Sequence, residues 1–387
     1  MQSASPLTLL GGLSPAQFME RYWQKKPLLV RGALPGFSPL VSRAHLFAMA
    51  GQEDAESRLI ERRSGQWKVS HGPIARLAIP PLARADWTLL VQGVDLRDDA
   101  VHALLSQFRF APDARLDDVM ISYASDGGGV GPHVDSYDVF LLQAMGTRRW
   151  RIGPVKNPRL LPDVPLKILV DFTPEEELLL EPGDMLYLPP GWAHDGVAEG
   201  ECMTYSVGFR APERGEIARD LLARLSEGEA RFDDLDACLD EERVLYRDAS
   251  LAATETPAEI PSAMLAFARD ALKRALSQAH AVECALGESL SEPKPQVWFE
   301  AGDACDVSAG VRLDRRTRML YDAHHVFING ESVRASGRDA ALMRTLANQR
   351  FLTMQDLAQA SEAALNLLAV WAESGWLQSE AAHPQRE

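Results

Sequence analysis

The segment GPHVDSYDVFLLQAMGTRRWRIG, residues 131–153, carries most of the information about the fold. It holds two apolar runs of strand length, Val139–Leu142 and Arg148–Ile152, on either side of Gly146. We predict two strands here, with a short turn around Gly146 that reverses the chain. Similar runs, separated by Gly, Pro and Asp, lie before and after the segment: Val119–Tyr123, Lys167–Val170, Leu178–Leu180, Met185–Leu188 and Met203–Phe209. Many short strands in succession predict an all-β sandwich or barrel rather than alternating βαβ units.

Helical patterns flank this strand-rich region. Ser14 and Pro15 form a helix start, and a second pattern covers residues 98–108. Residues 213–290 are rich in Ala, Leu, Glu and Arg, which predicts two or more helices joined by an acidic segment near 248–261. Beyond Pro293, short strands and then helices predict a small α+β region. We therefore predict three domains, at residues 1–212, 213–290 and 291–387.

The overall charge argues against nucleic acid as the main partner. The chain has 387 residues, of which 40 are basic and 55 acidic, so its net charge is −15. Acidic residues outnumber basic ones in each of the three predicted domains, whereas a nucleic-acid-binding surface needs a basic patch. A negative protein favours basic partners instead.

Membrane insertion, secretion and a cysteine framework are also disfavoured. No apolar run approaches the length of a membrane-spanning helix, and the first residues lack the pattern of a signal peptide. The four cysteines, Cys202, Cys238, Cys284 and Cys305, form no CxxC pair. This spacing predicts neither a disulfide framework nor a zinc knuckle, and we expect a cytoplasmic protein.

Three separated residues have the pattern of a metal centre. On a strand, His133 and Asp135 point to the same side because positions i and i+2 share a face. His194 follows the rigid turn Pro189-Pro190-Gly191, where sheet pairing could bring it beside them. Two histidines and one carboxylate form the facial triad of non-haem Fe(II) oxygenases, which leaves positions open for a chelating 2-oxoacid and for O₂.

Arg148 is the arginine that we expect inside the barrel. By strand parity it shares a face with Trp150 and Ile152, while Arg149 and Arg151 face the other way. A buried guanidinium needs a partner, and a carboxylate held by two parallel hydrogen bonds is its best one. Arg148 could therefore hold the distal carboxylate of a 2-oxoacid.

Each of these signals has an ordinary structural explanation when taken alone. An HxD pattern is common by chance, the Pro-Pro-Gly turn could be a sheet corner, and Arg148 could be an exposed strand residue. Their combination favours a metal site. By the same reasoning Asp117 and Asp118 are explained by a turn before a strand, and the neighbouring residues His324 and His325 by surface placement.

Seven segments carry a resemblance to a known family. They resemble the bacterial ribosomal oxygenases of the Jumonji-C type: YWQKKP (22–27), MISY (120–123), GGGVGPHVDSYDVF (127–140), RRWR (148–151), EPGD (181–184), PPG (189–191) and YSVGFRAP (205–212). The resemblance spans the whole chain. It implies an α+β protein with a Jumonji-C double-stranded β-helix, or cupin barrel, a helical dimerisation region and a small winged-helix-like C-terminal domain.

The resemblance also implies an activity and its residues. It implies an Fe(II)- and 2-oxoglutarate-dependent hydroxylase that uses O₂, releases succinate and CO₂, and acts on an arginine of large-subunit ribosomal protein sixteen. By position, His133, Asp135 and His194 bind the iron, Arg148 binds the distal carboxylate of 2-oxoglutarate, and Ser122 is a further candidate for that carboxylate. Thr204 stands where Asn is common, which implies different hydrogen bonding near the iron.

Partners and alternative functions complete the expectations. We expect a basic ribosomal protein as substrate, a homodimer formed through residues 213–290, no membrane association and no sequence-specific binding of nucleic acid. One alternative is a non-catalytic cupin regulator, in which the barrel senses a small molecule and a winged helix binds DNA. A gel shift would test for that DNA binding. Another is a metal-dependent cupin isomerase or dioxygenase, although such enzymes usually carry HxH and a Glu where this chain has HxD.

Overall fold

The structure is a computed structural model that describes residues 4–230, 246–247, 249, 258–302 and 310–379. The chain divides into two compact units, residues 1–211 with 295–298 and residues 212–294 with 299–387. The three-domain division at 212/213 and 290/291 stays a prediction. Most of the predicted connection at 248–261 lies outside the described residues, as do Cys238 and Cys305.

The first unit is built on one antiparallel sheet. Its strands are β1 (Leu28–Val30), β2 (Ser57–Arg63), β3 (Gln66–His71), β4 (Trp87–Val91), β5 (Leu116–Ala124), β6 (His133–Val134), β7 (Asp138–Pro154), β8 (Glu176–Leu180), β9 (Met185–Leu188) and β10 (Trp192–Phe209). They pair in the order β1-β9-β7-β10-β5-β4-β2-β3, with β6 on β10 and β8 on β7. The long strands β7 and β10 pair along almost their whole lengths and form the spine of the sheet.

Three α-helices and three short 3₁₀ turns accompany the sheet. The helices are α1 (Pro15–Arg21), α2 (Arg43–Ala50) and α3 (Asp99–Ser106), and the turns are Thr8–Leu10, Arg76–Ala78 and Val94–Leu96. The predicted start of α1 is confirmed: the Ser14 side chain accepts a hydrogen bond from the Gln17 amide, and the Gln17 side chain bonds back to Ser14.

Two predictions about the strands are wrong. Residues 138–154 form one continuous strand, with no reversal at Gly146. Gly146 has a φ of 63° and marks an irregularity where the register between β7 and β10 shifts, so it bends the strand without ending it. Lys167–Val170 is not a strand either, because only an isolated bridge joins Leu160 and Leu169.

Side-chain alternation gives the sheet two different apolar faces. One face packs with the helices in the main core, whose largest fully buried members include Phe18, Trp87, Tyr123, Phe140 and Tyr187. The other face carries a smaller cluster: Val139, Leu141, Trp150, Ile152, Leu180, Leu186 and Leu188. One face of the sheet thus packs against the helices, and the opposite face forms a separate apolar cluster inside the first unit.

The second unit is mixed α+β. Its helices are α4 (Arg214–Ala230), α5 (Ser262–Ser277), α6 (Ala281–Ser291), α7 (Gly337–Gln349), α8 (Met354–Leu357) and α9 (Glu362–Glu373). Its strands form two small sheets: β11 (Val311–Leu313) with β15 (Phe351–Leu352) and β16 (Leu377–Ser379), and β12 (Met319–Tyr321) with β13 (His325–Ile328) and β14 (Glu331–Arg334). In neither unit do the described residues include a helix that is long and apolar enough to cross a bilayer.

Candidate metal centre

Strand pairing brings the two predicted histidines together. His133 lies on β6 and His194 near the start of β10, and the two are directly paired in the antiparallel register. Their ring centroids are 4.2 Å apart. The 60 residues between them in sequence therefore close into one site because β6 adds to the edge of β10.

Asp135 completes the cluster. One of its carboxylate oxygens, Oδ2, lies 3.5 Å from Nε2 of His194 and 3.9 Å from Nε2 of His133. One ligand atom from each of the three residues falls within 4.8 Å of the others, and no other such group of His, Cys, Asp or Glu occurs among the described residues. Two imidazole nitrogens and a carboxylate oxygen are thus gathered around a single point.

Backbone carbonyls orient both imidazoles. Nδ1 of His133 lies 2.9 Å from the carbonyl oxygen of Gly131, and Nδ1 of His194 lies 3.2 Å from that of Trp192. Each Nδ1–H donates to its carbonyl, so each Nε2 keeps its lone pair and points it toward Asp135. This is the arrangement in which histidine side chains bind a metal ion.

The electrostatics keep His194 neutral. Burial, together with the neighbouring His133, lowers the pKa of His194 to about 4. The ring is therefore unprotonated near neutral pH, and an unprotonated imidazole is the form that coordinates metals.

Arg148 points into the interior, as strand parity predicts. Its side chain is only 4% exposed, and its guanidinium carbon lies 5.4 Å from the ring centroid of Trp150. Nη1 donates to the hydroxyls of Ser122 and Thr204, at 2.9 and 3.3 Å. Nε is buried and has no hydrogen-bond partner among the described residues, which leaves this side of the guanidinium to a ligand.

One cavity of about 490 Å³ joins these features. His133, Asp135, His194, Arg148 and Ser122 all line it. The five site residues predicted from the sequence therefore surround the same space. Arg149 and Arg151 lie on the opposite side of β7 and pair there with Glu177, Glu199 and Asp195.

The sequence reasoning missed carboxylates that also line the cavity. Asp117 and Asp118 belong to β5 and not to a turn before it, so that prediction is wrong. Asp118 is 5% exposed and accepts a hydrogen bond from the Gly93 amide, whereas Asp117 pairs with Arg210. The signal was available, since Asp118 stands four residues before Ser122 and strand parity puts both on one face.

The structure also gives the contacts of Thr204 and the setting of His325. The Thr204 hydroxyl accepts a hydrogen bond from Arg148 and donates one to Gln143, at 3.3 and 2.9 Å. His325 is 8% exposed and its Nδ1 lies 3.2 Å from Asp322, so surface placement is wrong for this residue, while His324 is exposed.

Comparison with known proteins shows the same organisation. A JmjC domain family profile matches residues 103–217, and a ROXA-like winged-helix profile matches residues 274–378. The ribosomal protein uL16 3-hydroxylase of Escherichia coli is 32% identical over 378 residues, covering 93% of this chain and 96% of that protein. The chain belongs to the ribosomal oxygenase family. A probable ribosomal oxygenase of Haemophilus influenzae is 36% identical over 212 residues, covering 53% of this chain and 52% of that protein.

Solved structures of a ribosomal oxygenase confirm the predicted fold class. The crystal structure of E. coli ribosomal oxygenase YcfD is 30% identical in sequence, with a TM-score of 0.76, covering 94% of this chain and 98% of that one. A second structure of YcfD, in complex with cobalt and 2-oxoglutarate, has a TM-score of 0.74 and 30% identity, covering 94% of this chain and 98% of that one. This chain thus consists of a Jumonji-C barrel and a winged-helix domain.

A third family profile, the AraC-like ligand-binding domain, matches residues 173–281. That match overlaps the other two and runs across the boundary between the units at 211/212. The likeness to ribosomal oxygenases extends over nearly the whole chain and favours the oxygenase over a regulator.

Proposed function

We propose that this chain is an Fe(II)- and 2-oxoglutarate-dependent hydroxylase that modifies an arginine side chain of large-subunit ribosomal protein sixteen (uL16). The observation that carries the proposal is the convergence of His133, Asp135 and His194 in one cavity with the buried Arg148. The metal ligands and the cation that a 2-oxoacid requires then face the same space.

The donor set fits iron. His133, Asp135 and His194 would hold Fe(II) through two imidazole nitrogens and one carboxylate oxygen, a set that leaves coordination positions open. When bound there with 2-oxoglutarate and O₂, the iron supplies an oxidation that inserts oxygen into an unactivated C–H bond and releases succinate and CO₂. The protein's own contribution is to orient the reactants and to exclude water from the cavity.

Arg148 would hold the distal carboxylate of 2-oxoglutarate, with Ser122 beside it. The unpartnered Nε of Arg148 supports this role, because a carboxylate can bond to Nε and Nη2 together. Ser122 contributes by fixing Nη1, to which its hydroxyl oxygen lies at 2.9 Å. Held at both ends, the cosubstrate would keep its reactive carbons beside the metal.

The position of Asp118 favours a substrate with a cationic side chain. It is a nearly buried carboxylate in the wall of the cavity that also contains the metal centre. A guanidinium entering the cavity would regain there the polar interactions that it loses on leaving water. The net charge of −15 favours approach of a basic ribosomal protein in the same way.

The test is hydroxylation of a uL16 peptide by the iron-loaded protein, followed by mass spectrometry. We expect the mass of one oxygen atom on an arginine, and no product when that arginine is replaced by lysine. His133→Ala and Arg148→Ala should abolish the product, whereas the exposed controls His45→Ala and Arg149→Ala should retain it.

The peptide assay also separates the coarse proposal from the fine one. Asp118→Asn should raise the KM for the peptide and leave the KM for 2-oxoglutarate unchanged, while the exposed control Asp171→Asn should change neither. Oxygen on a residue other than arginine would refute the proposed substrate alone. Absence of turnover with folded, iron-loaded protein would refute the proposed enzymatic activity and favour the non-catalytic cupin regulator.

A homodimer in the cytoplasm is the remaining part of the proposal. Helix α5 has no buried residue, and its apolar side chains Met264, Leu265, Phe267, Leu272 and Leu276 are 36–55% exposed. A second copy could cover such a face. Light scattering at micromolar concentration should give the mass of a dimer, and Leu272→Glu should shift it to a monomer. A stable monomer before substitution would contradict this.

A further inference from the structure

Arg148 belongs to a buried chain of four polar side chains. Gln143, Thr204, Ser122 and Arg148 are 0%, 1%, 5% and 4% exposed. Gln143 and Arg148 lie on β7, Thr204 on β10 and Ser122 on β5. Buried polar groups of this kind must satisfy one another, because water cannot do so.

The direction of each hydrogen bond in this chain is determined. The Gln143 side-chain amide donates from Nε2 to the carbonyl oxygens of Met145 and Gly146, at 2.8 and 3.1 Å. Its Oε1 is therefore the atom that faces Thr204, and it accepts the Thr204 hydroxyl at 2.9 Å. A hydroxyl has one proton, so the Thr204 oxygen can only accept from Nη1 of Arg148, at 3.3 Å.

The irregular pairing of β7 with β10 leaves backbone carbonyl groups that the Gln143 side chain satisfies. The register shifts on both sides of Met203, opposite Met145, and Gly146 adopts a left-handed conformation at that point. Gln143 bonds to the two carbonyl groups at this irregularity. The same irregularity thus orients the Gln143 amide, whose oxygen then sets the direction of the Thr204 hydroxyl.

The result is a guanidinium with a fixed orientation. Ser122 and Thr204 both accept from Nη1, and the ring of Trp150 lies 5.4 Å from the guanidinium carbon. Since Nη1 is occupied by the protein, the ligand-facing side is Nε and Nη2. This is the pair of groups that can grip a carboxylate at two points.

We propose that Thr204 and Gln143 are positioning residues for Arg148, and that they set the selectivity of this site for a 2-oxoacid with a distal carboxylate. The proposal rests on the proposed function, because it takes 2-oxoglutarate as the ligand of Arg148. Neither residue would touch the reacting atoms. Both act through the orientation of the guanidinium.

The variants separate positioning from packing. Thr204→Val keeps the side-chain shape and removes the hydroxyl, whereas Thr204→Ser keeps the hydroxyl and removes a methyl group. Thr88→Val is the matched control, because Thr88 is a fully buried threonine of the same sheet whose hydroxyl has no partner among the described residues. Gln143→Leu removes the amide that directs the hydroxyl.

The measurement is the dissociation constant for two 2-oxoacids, using anaerobic Fe(II)-loaded protein. It is read from the metal-to-ligand charge-transfer absorption that a chelated 2-oxoacid gives with Fe(II). A guanidinium that is no longer oriented should lose one of its two hydrogen bonds to the distal carboxylate, which should weaken the binding of 2-oxoglutarate by about tenfold in Thr204→Val and in Gln143→Leu. Pyruvate, which has no distal carboxylate, should bind all variants equally.

Four further results are expected. Thr204→Ser should bind 2-oxoglutarate within about twofold of the unmodified protein, and Thr88→Val should be unchanged. The double variant Thr204→Val with Gln143→Leu should lose about as much affinity as either single one, because both belong to one chain of hydrogen bonds. At saturating 2-oxoglutarate, kcat for the peptide should be little changed, since the effect lies in cosubstrate binding.

The outcomes distinguish this inference from the proposed function. Unchanged 2-oxoglutarate affinity in Thr204→Val, or an equal loss for pyruvate and 2-oxoglutarate, would overturn the positioning role while the hydroxylase remained. Failure of Thr204→Ser to restore affinity would also overturn it, since shape and not the hydroxyl would then matter. Failure of the unmodified protein to bind 2-oxoglutarate would overturn both.

Discussion

Replacement of Arg148 by lysine tests whether a charge alone is enough at the cosubstrate site. The guanidinium has more donors than the two that Ser122 and Thr204 engage through Nη1, so Nε and Nη2 remain for a carboxylate. A lysine ammonium has only three donors. If two of them replace the bonds to Ser122 and Thr204, one is left for the ligand.

The magnitude follows from this count. A hydrogen bond between charged groups contributes about 1.5–3 kcal/mol. Arg148→Lys loses one such bond and should weaken 2-oxoglutarate binding by about 10- to 150-fold. Arg148→Ala loses both, so its loss should reach about 150-fold or more. Affinity should therefore fall in the order Arg, Lys, Ala.

The assay is calorimetric titration of 2-oxoglutarate into anaerobic protein loaded with Mn(II). Arg149→Lys is the control, because Arg149 lies on the same strand, is 40% exposed and pairs with Glu177 and Glu199 on the opposite face. Full affinity in Arg148→Lys would refute the two-point grip, since charge alone would then explain binding. Full affinity in Arg148→Ala would refute any role for Arg148.

Two predictions concern stability. Burial raises the pKa of Asp184, but hydrogen bonds from the Gly32 and Glu181 amides and from Arg31 outweigh it and lower the pKa below its ordinary value of 3.8. The ionised carboxylate therefore stabilises the fold above that value and loses its contribution as the pH falls through the lowered pKa. Urea unfolding of Asp184→Asn should show a loss of about 2 kcal/mol at neutral pH that shrinks as the pH falls below the ordinary carboxyl value of 3.8, and a pH-independent loss would contradict this origin. Gly146→Ala should lower the free energy of unfolding by about 3 kcal/mol or more, because the new Cβ would collide with the Glu201 carbonyl oxygen and strain a left-handed residue. Gly200→Ala, with a φ of 74° and open space around it, should cost only about 1–2 kcal/mol, and equal losses would show that the collision is relieved.

Short-range periodicity was enough to predict most of the site. His133 and Asp135 share a face because strand residues alternate, and Arg148 shares the inward face of Trp150 for the same reason. These statements need only the strand and not its partners. The proximity of His133 and His194 could be predicted as well, because a turn ending in Gly191 places the second histidine at the start of a strand.

Features that depend on long-range pairing were not predictable in this way. Gly146 has the local signature of a turn. In the structure, however, β10 pairs with β7 on both sides of Gly146 and keeps the chain extended. Local sequence does not distinguish a glycine at an irregularity within a strand from a glycine that ends a strand. Strand parity places Asp118 on the inward face, but its hydrogen bond from the Gly93 amide of a distant segment cannot be read from local sequence. The role of Gln143 is equally hidden, since its partners are backbone groups exposed by the irregular register.

Turnover under isotopically labelled dioxygen tests the central claim most directly. The protein would be loaded with Fe(II) and incubated with 2-oxoglutarate and the uL16 peptide. The masses of the peptide and of the succinate would then be measured by mass spectrometry. We expect one labelled oxygen atom on an arginine of the peptide and the other in succinate, in equal amounts. Label in succinate with an unmodified peptide, or peptide oxygen that derives from water, would contradict it.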